Sequence, residues 1–306
     1  MRTFAVLLAC LLAMSASAES LDVSGVRRSY ELQKPVARPA PLVIVLHGNT
    51  QEGRAMRERT SWPDVARREQ FAVVFPDGLN HAWADMRSAD ERAAGGPPPG
   101  TDDVAFIVEL TQKLILDGVA DPKRIYVTGV SNGGAMALTL ACQRPDLFAA
   151  AGSVIMGMTE SMIDGCRPSR KIAILLMNGT ADPLVSYMGG RGRGRVAVSN
   201  LLSTPDTLQF WRRANGCEPS DAREVDLPDI DRFDQTTVTR IDSHCPAGAD
   251  TVLYRVNGGG HRMPGYVADA RLKRIVDRML GPQNRDIDGA QTIWDFFKHQ
   301  SRGEQP

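Results

Sequence analysis

The sequence predicts an α/β fold in which a mainly parallel sheet carries helices on both faces, and three observations support this. Short apolar or β-branched runs recur along the chain, amphipathic stretches separate them, and the runs are almost continuously apolar rather than alternating. A strand reads that way when both of its faces are buried. With 306 residues, 42% of them hydrophobic and 24% charged, the chain can fill one large core of this type.

In chain order, Met1 to Ala18 has one early basic residue (Arg2), an apolar stretch from Phe4 to Met14, and Ala16-Ser17-Ala18. This is the pattern of a secretory signal peptide cut after Ala18, and the protein is expected to be secreted, extracellular or periplasmic. Attachment of a lipid at Cys10 is the rival reading, and it would leave "LLAM" stranded. The strand candidates are Leu42–His47, Phe71–Pro76, Ile125–Gly129, Ala151–Met156, Ile172–Gly179 and Thr251–Asn257. Helices are expected over "TDDVAFIVELTQKLILDG", where Thr101, Asp102 and Asp103 offer caps, over Thr204–Asn215, and over "GAQTIWDFFKHQ" near the end. "GGPPPG" (Gly95 to Gly100) and "GGRGRGR" (Gly189 to Arg195) read as surface loops rather than as a linker or an RNA-binding segment. The expected organisation is residues 1–18 as signal peptide and 19–306 as a single domain.

Lys+Arg and Asp+Glu both number 36, so charge gives no case for nucleic acid or an anionic membrane surface as partner. No later segment reaches the ~18 uninterrupted apolar residues of a membrane span. Beyond the signal, four cysteines remain: Cys142, Cys166, Cys217 and Cys245. An even count in an exported chain suggests two disulfides, and no spacing resembles a metal site. Three pairings are possible. Joining Cys142 to Cys166 and Cys217 to Cys245 is favoured, because each bond closes a loop of about 25 residues worth roughly 3 kcal/mol.

The chemistry centres on "GVSNGGAM", Gly129 to Met136. G-x-S-x-G alone arises often by chance. Here, however, a strand candidate precedes it and a helical stretch follows, the context of a nucleophile elbow that holds Ser131 up on a strained turn. Serine needs a base. Among His47, His81, His244, His261 and His299, only His261, in "VNGGGHRMPG", follows both the serine and a plausible acid beside a late strand. That acid is Asp182 in "GTADPLV", for which a simple Asp-Pro turn is the plainer alternative. Oxyanion donors are expected at the backbone N–H groups of Asn132, which follows the nucleophile, and of Asn49, in "VLHGNTQEG". Trp83, Met158 and Tyr187 are read as core rather than pocket residues. Neither a cofactor nor a metal is called for.

Taken together, "PLVIVLHGNTQEG", "FAVVFPDG", "DDVAFI", "IYVTGVSNGGAMA", "NGTADPLVSYMGG", "FWRRANGC", "VLYRVNGGGHRMPG" and "IWDFF" resemble the secreted polyhydroxybutyrate depolymerase and feruloyl esterase-like group of serine esterases. The resemblance spans nearly the whole chain after the signal. It implies an α/β-hydrolase fold, a Ser131–His261–Asp182 triad, backbone donors at Asn49 and Asn132, and the two disulfides proposed. It also implies a small-molecule or oligomeric ester as substrate: polyhydroxyalkanoate oligomers, or feruloyl or acetyl esters of plant polysaccharide. Asn49 stands where many relatives have cysteine, and Met263 where tryptophan is usual. The segment "YVADARLKRIVDRMLGPQNRD" is longer than usual and is expected to form a partial lid. The competing readings are a serine peptidase on the same fold and a non-catalytic binding protein on a hydrolase fold. A phosphate-binding loop is disfavoured because "GVSNGG" lacks the P-loop lysine.

Overall fold

The computed structural model describes residues 17–92, 96–193, 200–218, 222–267 and 273–303. The signal segment up to residue 16, with Cys10, and the end of the "GGRGRGR" run lie outside them. In chain order the strands are β1 (Ser17–Val23), β2 (Val26–Gln33), β3 (Ala40–Leu46), β4 (Ala72–Pro76), β5 (Ala120–Val130), β6 (Ala150–Val154) and β7 (Ala173–Gly179), then β8 (Gly190–Arg191), β9 (Asn200–Leu201), β10 (Ala222–Asp226), β11 (Thr237–Ser243) and β12 (Thr251–Asn257). The helices are α1 (Gly53–Arg59), α2 (Trp62–Glu69), α3 (Ala89–Arg92), α4 (Asp103–Leu116), α5 (Asn132–Gln143), α6 (Glu160–Gly165), α7 (Thr204–Asn215), α8 (Lys273–Leu280) and α9 (Gly289–Phe297).

Ten strands form one sheet in the order β1-β2-β4-β3-β5-β6-β7-β12-β11-β10, while β8 and β9 make a separate ribbon. From β4 to β12 every neighbour is parallel. The β1–β2 hairpin and the β10–β11 pair extend the two edges antiparallel. These edge strands carry no expectation from the sequence. β2, "VRRSYELQ", alternates between exposed and buried positions, because only one of its faces meets the core.

The continuous apolar runs follow from burial on two sides. Along β3, Leu42, Ile44 and Leu46 enter one core, while Val43 and Val45 enter the other. The first core packs against α4, α5 and α7 through residues such as Phe106, Met136 and Trp211. The second packs against α2 and α9, where Phe297 stacks on Tyr126 with ring centroids 5.0 Å apart and Trp294 stacks on Phe71 at 4.0 Å. Helix starts follow local chemistry. The Asp102 carboxylate accepts the Ala105 N–H at 2.8 Å to open α4, and the Ser203 hydroxyl accepts the Asp206 N–H at 3.0 Å to open α7.

Cys142, at the end of α5, is bonded to Cys166 just after α6, and Cys217, just after α7, is bonded to Cys245 in the β11–β12 connection. No helix among the described residues is long and apolar enough to cross a membrane.

Candidate active site

Four loops that leave the C-terminal ends of the parallel strands β3, β5, β7 and β12 meet on one side of the sheet. They bring Gly48–Gln51, Ser131 and His261 to one cavity, with Asp182 behind His261, because parallel strands deliver all their exits to the same edge.

Ser131 caps α5 with φ 53° and ψ −118°, a conformation costly for any residue with a side chain. The turn is held because the Ser131 N–H donates to the Val154 carbonyl at 2.9 Å. Helix α5 also passes very close to the sheet. A Cβ on Gly133 would lie 2.5 Å from the carbonyl oxygens of both Leu46 and His47, and one on Gly129 would lie 2.3 Å from the Gly133 carbonyl. Only glycine fits at either place. Ile155, which also borders the cavity, has φ 51°, an outlier for a β-branched residue. Strain of this kind clusters where geometry serves a site.

His261 lies with Nε2 3.1 Å from Ser131 Oγ and Nδ1 2.7 Å from Asp182 Oδ2. Because a carboxylate only accepts, the imidazole donates from Nδ1 and leaves Nε2 free to accept the hydroxyl proton. The other oxygen of Asp182, Oδ1, accepts the N–H groups of Leu184 and Val185, each at 2.8 Å. The glycines before His261 serve close approach. A Cβ on Gly260 would lie 2.0 Å from the Leu280 carbonyl, where the end of α8 crosses the loop. Backbone bonds fasten that crossing: the His261 N–H donates to the Leu280 carbonyl at 2.6 Å and the Gly260 N–H to the Pro282 carbonyl at 2.8 Å. The Arg262 guanidinium adds an ion pair with Asp277 of α8.

Asn49 borders the same cavity as Ser131, and a buried histidine sets its backbone. His47 Nε2 accepts the Gly78 N–H at 2.9 Å, so its proton sits on Nδ1, which donates to the Gly48 carbonyl at 2.8 Å. In a trans peptide the C=O and N–H point in opposite directions, so the Asn49 N–H is turned away from the imidazole. Burial pulls the His47 pKa down to about 4, against the opposing effects of the Gly48 hydrogen bond and the Asp77 charge. The Gln51 side chain ties this loop down further, accepting the Gly48 N–H at 3.2 Å and donating to the Tyr266 hydroxyl at 3.1 Å.

The side chain of Asn132 has a role that sequence reasoning missed. It accepts the Trp83 N–H at 2.7 Å and donates to the Trp83 carbonyl at 3.2 Å and to Asp85 at 2.7 Å, locking the first residue of α5 to the β4–α3 connection. Asp85 is in turn held by buried Arg87 at 2.7 Å. Trp83 and Met158 are fully buried and Tyr187 half-buried, and none of the three borders the cavity.

The cavity has a volume of about 460 Å³. Val276, Met279 and Leu280 of α8 form one wall, and Met263 and Tyr266 lie beside them. The segment expected as a partial lid thus supplies a wall, although its residues 268–272 lie outside those described. Among the described residues, no three His, Cys, Asp or Glu side chains converge to hold a metal.

The sequence profile of the family described as "Esterase PHB depolymerase" matches residues 29–190, more than half of the chain. The putative esterase NocK of Nocardia uniformis subsp. tsuyamanensis is 29% identical over 92% of this chain and 83% of its own. Feruloyl esterase B of Piromyces equi is 26% identical over 73% of this chain, which spans only 40% of that longer protein. Among solved structures, an acetyl xylan esterase from Aspergillus awamori superposes with a TM-score of 0.53 at 15% identity, covering 85% of this chain and 97% of the other. The arrangement they share is the α/β-hydrolase fold.

Proposed function

Since the chain belongs to the Esterase PHB depolymerase family, we propose that it is an exported serine esterase that cleaves carboxylic esters through Ser131, His261 and Asp182. The observation that carries this reading is the unbroken relay from Ser131 Oγ through His261 to Asp182, 3.1 and 2.7 Å long, at the wall of a largely apolar cavity.

In this reading His261 Nε2 takes the hydroxyl proton as Ser131 Oγ bonds to the ester carbonyl carbon. Asp182 stabilises the imidazolium so formed, and its two backbone donors keep it fixed. Negative charge gathers on the former carbonyl oxygen. The N–H of Asn132, at the start of α5 where helical amides lack intrahelical acceptors, and the N–H of Asn49 stabilise it. The C–O bond to the alcohol then breaks, and the alcohol leaves with the proton from His261. Water, deprotonated by the same imidazole, releases the acid and restores Ser131. The substrates proposed are short polyhydroxyalkanoate oligomers or feruloyl or acetyl esters. The proposed organisation is one catalytic unit over residues 19–306, formed after removal of residues 1–18, and the two disulfides support export to an oxidising compartment.

The test compares the mature chain with Ser131→Ala on methyl ferulate and on a soluble 3-hydroxybutyrate oligomer. Hydrolysis is expected to fall by at least ~10³-fold in the variant, and a fluorophosphonate should label the native chain alone. Turnover that survives the substitution would remove Ser131 from the mechanism.

A further inference from the structure

Among the described residues, three arginines border the cavity that holds Ser131: Arg59, Arg193 and Arg262. Arg262 is buried and neutralised by Asp277. The other two are in a different state. Arg59 is the last residue of α1, and Arg193 lies beyond the Asp182 turn, its N–H donating to the Leu184 carbonyl at 3.1 Å. Both side chains are exposed, and among the described residues neither forms an ion pair. Glu58, beside Arg59 in the chain and within reach of its charge, forms its ion pairs with Arg54 at 2.7 Å and Arg57 at 3.5 Å. Among the described residues no Asp or Glu borders the cavity, and Asp182 behind it is occupied by His261 and two backbone amides.

Apart from these cations the lining is dominated by apolar groups, among them Val130, Ile155, Leu184 and Val185. Two exposed arginines without an ion pair, bordering an apolar cleft, favour a ligand with an apolar body and an anionic end. The planar fork of arginine matches a carboxylate in particular. We propose that Arg59 and Arg193 form an anion subsite, and that the preferred ester carries a free carboxylate beside its apolar body, as an acid-terminated hydroxyalkanoate oligomer does. This subsite rests on the reading of Ser131 as the ester-cleaving group. It favours acid-ended oligomers over neutral aryl or alkyl esters.

The experiment measures kcat/KM for the 3-hydroxybutyrate trimer as the free acid and as its methyl ester, substrates that differ only in that end group. The native chain should prefer the acid by about five- to tenfold, mainly through KM, and added salt should erode the preference. In the Arg59→Gln/Arg193→Gln double variant the ratio should approach one. A native ratio of one or less, or a double variant that keeps the preference, overturns the subsite. In parallel, calorimetry with Ser131→Ala reads binding without turnover, and the acid should bind more tightly than the methyl ester by a similar factor. If no ester is hydrolysed, the esterase reading fails on its own, and this binding comparison still decides the subsite. Equal binding of acid and methyl ester rejects it.

Discussion

At the scale of single residues, His47 does more than turn the chain. Its imidazole fills two backbone needs at once, the Gly78 N–H and the Gly48 carbonyl, and acceptance of the Gly78 N–H at Nε2 requires the neutral ring. The folded protein therefore resists protonating it until about pH 4, whereas the unfolded chain takes up the proton near the ordinary value of 6.5. Below pH 6.5 the unfolded state binds more protons, so the contribution of His47 to stability is complete above that pH and is lost as the pH falls toward 4. The loss amounts to about 3 kcal/mol over that window. Thermal melts of the native chain should show Tm falling through this range, and His47→Gln should flatten that part of the curve. A variant with an unaltered slope would assign the acid sensitivity elsewhere. His47 was legible only as part of an oxyanion loop. Its ring contacts depend on Gly78, 31 residues away, and no local pattern reports such a pairing. The same is true of the Asn132 side chain, which reads simply as the residue after the nucleophile.

At the scale of elements, the turn before α5 works because that helix lies against the backbone of β3. Gly133→Ala places a methyl group 2.5 Å from two carbonyl oxygens, and neither belongs to a flexible side chain. The helix must then withdraw, carrying the Asn132 N–H and Ser131 with it. A loss of about 3 kcal/mol in stability is expected. The folded fraction should also show a fall in kcat of more than about tenfold, in line with misplacement of reacting groups. Chemical denaturation together with active-site titration would measure both, and a variant of native stability would mean that the close approach is not binding on the fold. The six parallel strands were readable because burial on both faces leaves an apolar run that needs no partner to be recognised. β2 and β11 were not, since their charged and apolar residues alternate, and only the neighbouring strands show that the alternation belongs to a half-buried strand near the sheet margin. Helix α8 announces an amphipathic face through Val276, Met279 and Leu280. That this face closes the cavity is set by a crossing of the His261 loop, which sequence spacing does not encode.

At the scale of the whole molecule, the two disulfides differ in access. Cys142 and Cys166 are buried in the first core, whereas Cys217 and Cys245 are half-exposed. Mild reductant applied to the folded protein should therefore open Cys217–Cys245 first, as read by alkylation and mass spectrometry. Each opening should lower stability by about 3 kcal/mol, since the loops closed are of similar length, 24 and 28 residues. Simultaneous reduction of both bonds would contradict the ranking by burial. Another feature at this scale is the seam between the loop of His261 and the end of α8, sewn by the 2.6 and 2.8 Å backbone bonds and by the Arg262–Asp277 pair. His261 and that side of the cavity share one mount, so a swing of the end of α8 to admit a bulkier ligand would drag His261 out of reach of Ser131. Exchanging the side chains at Val276 or Met279 would reshape the cavity with the mount left in place. The chamber can thus be relined without moving its hinge to the base-bearing loop.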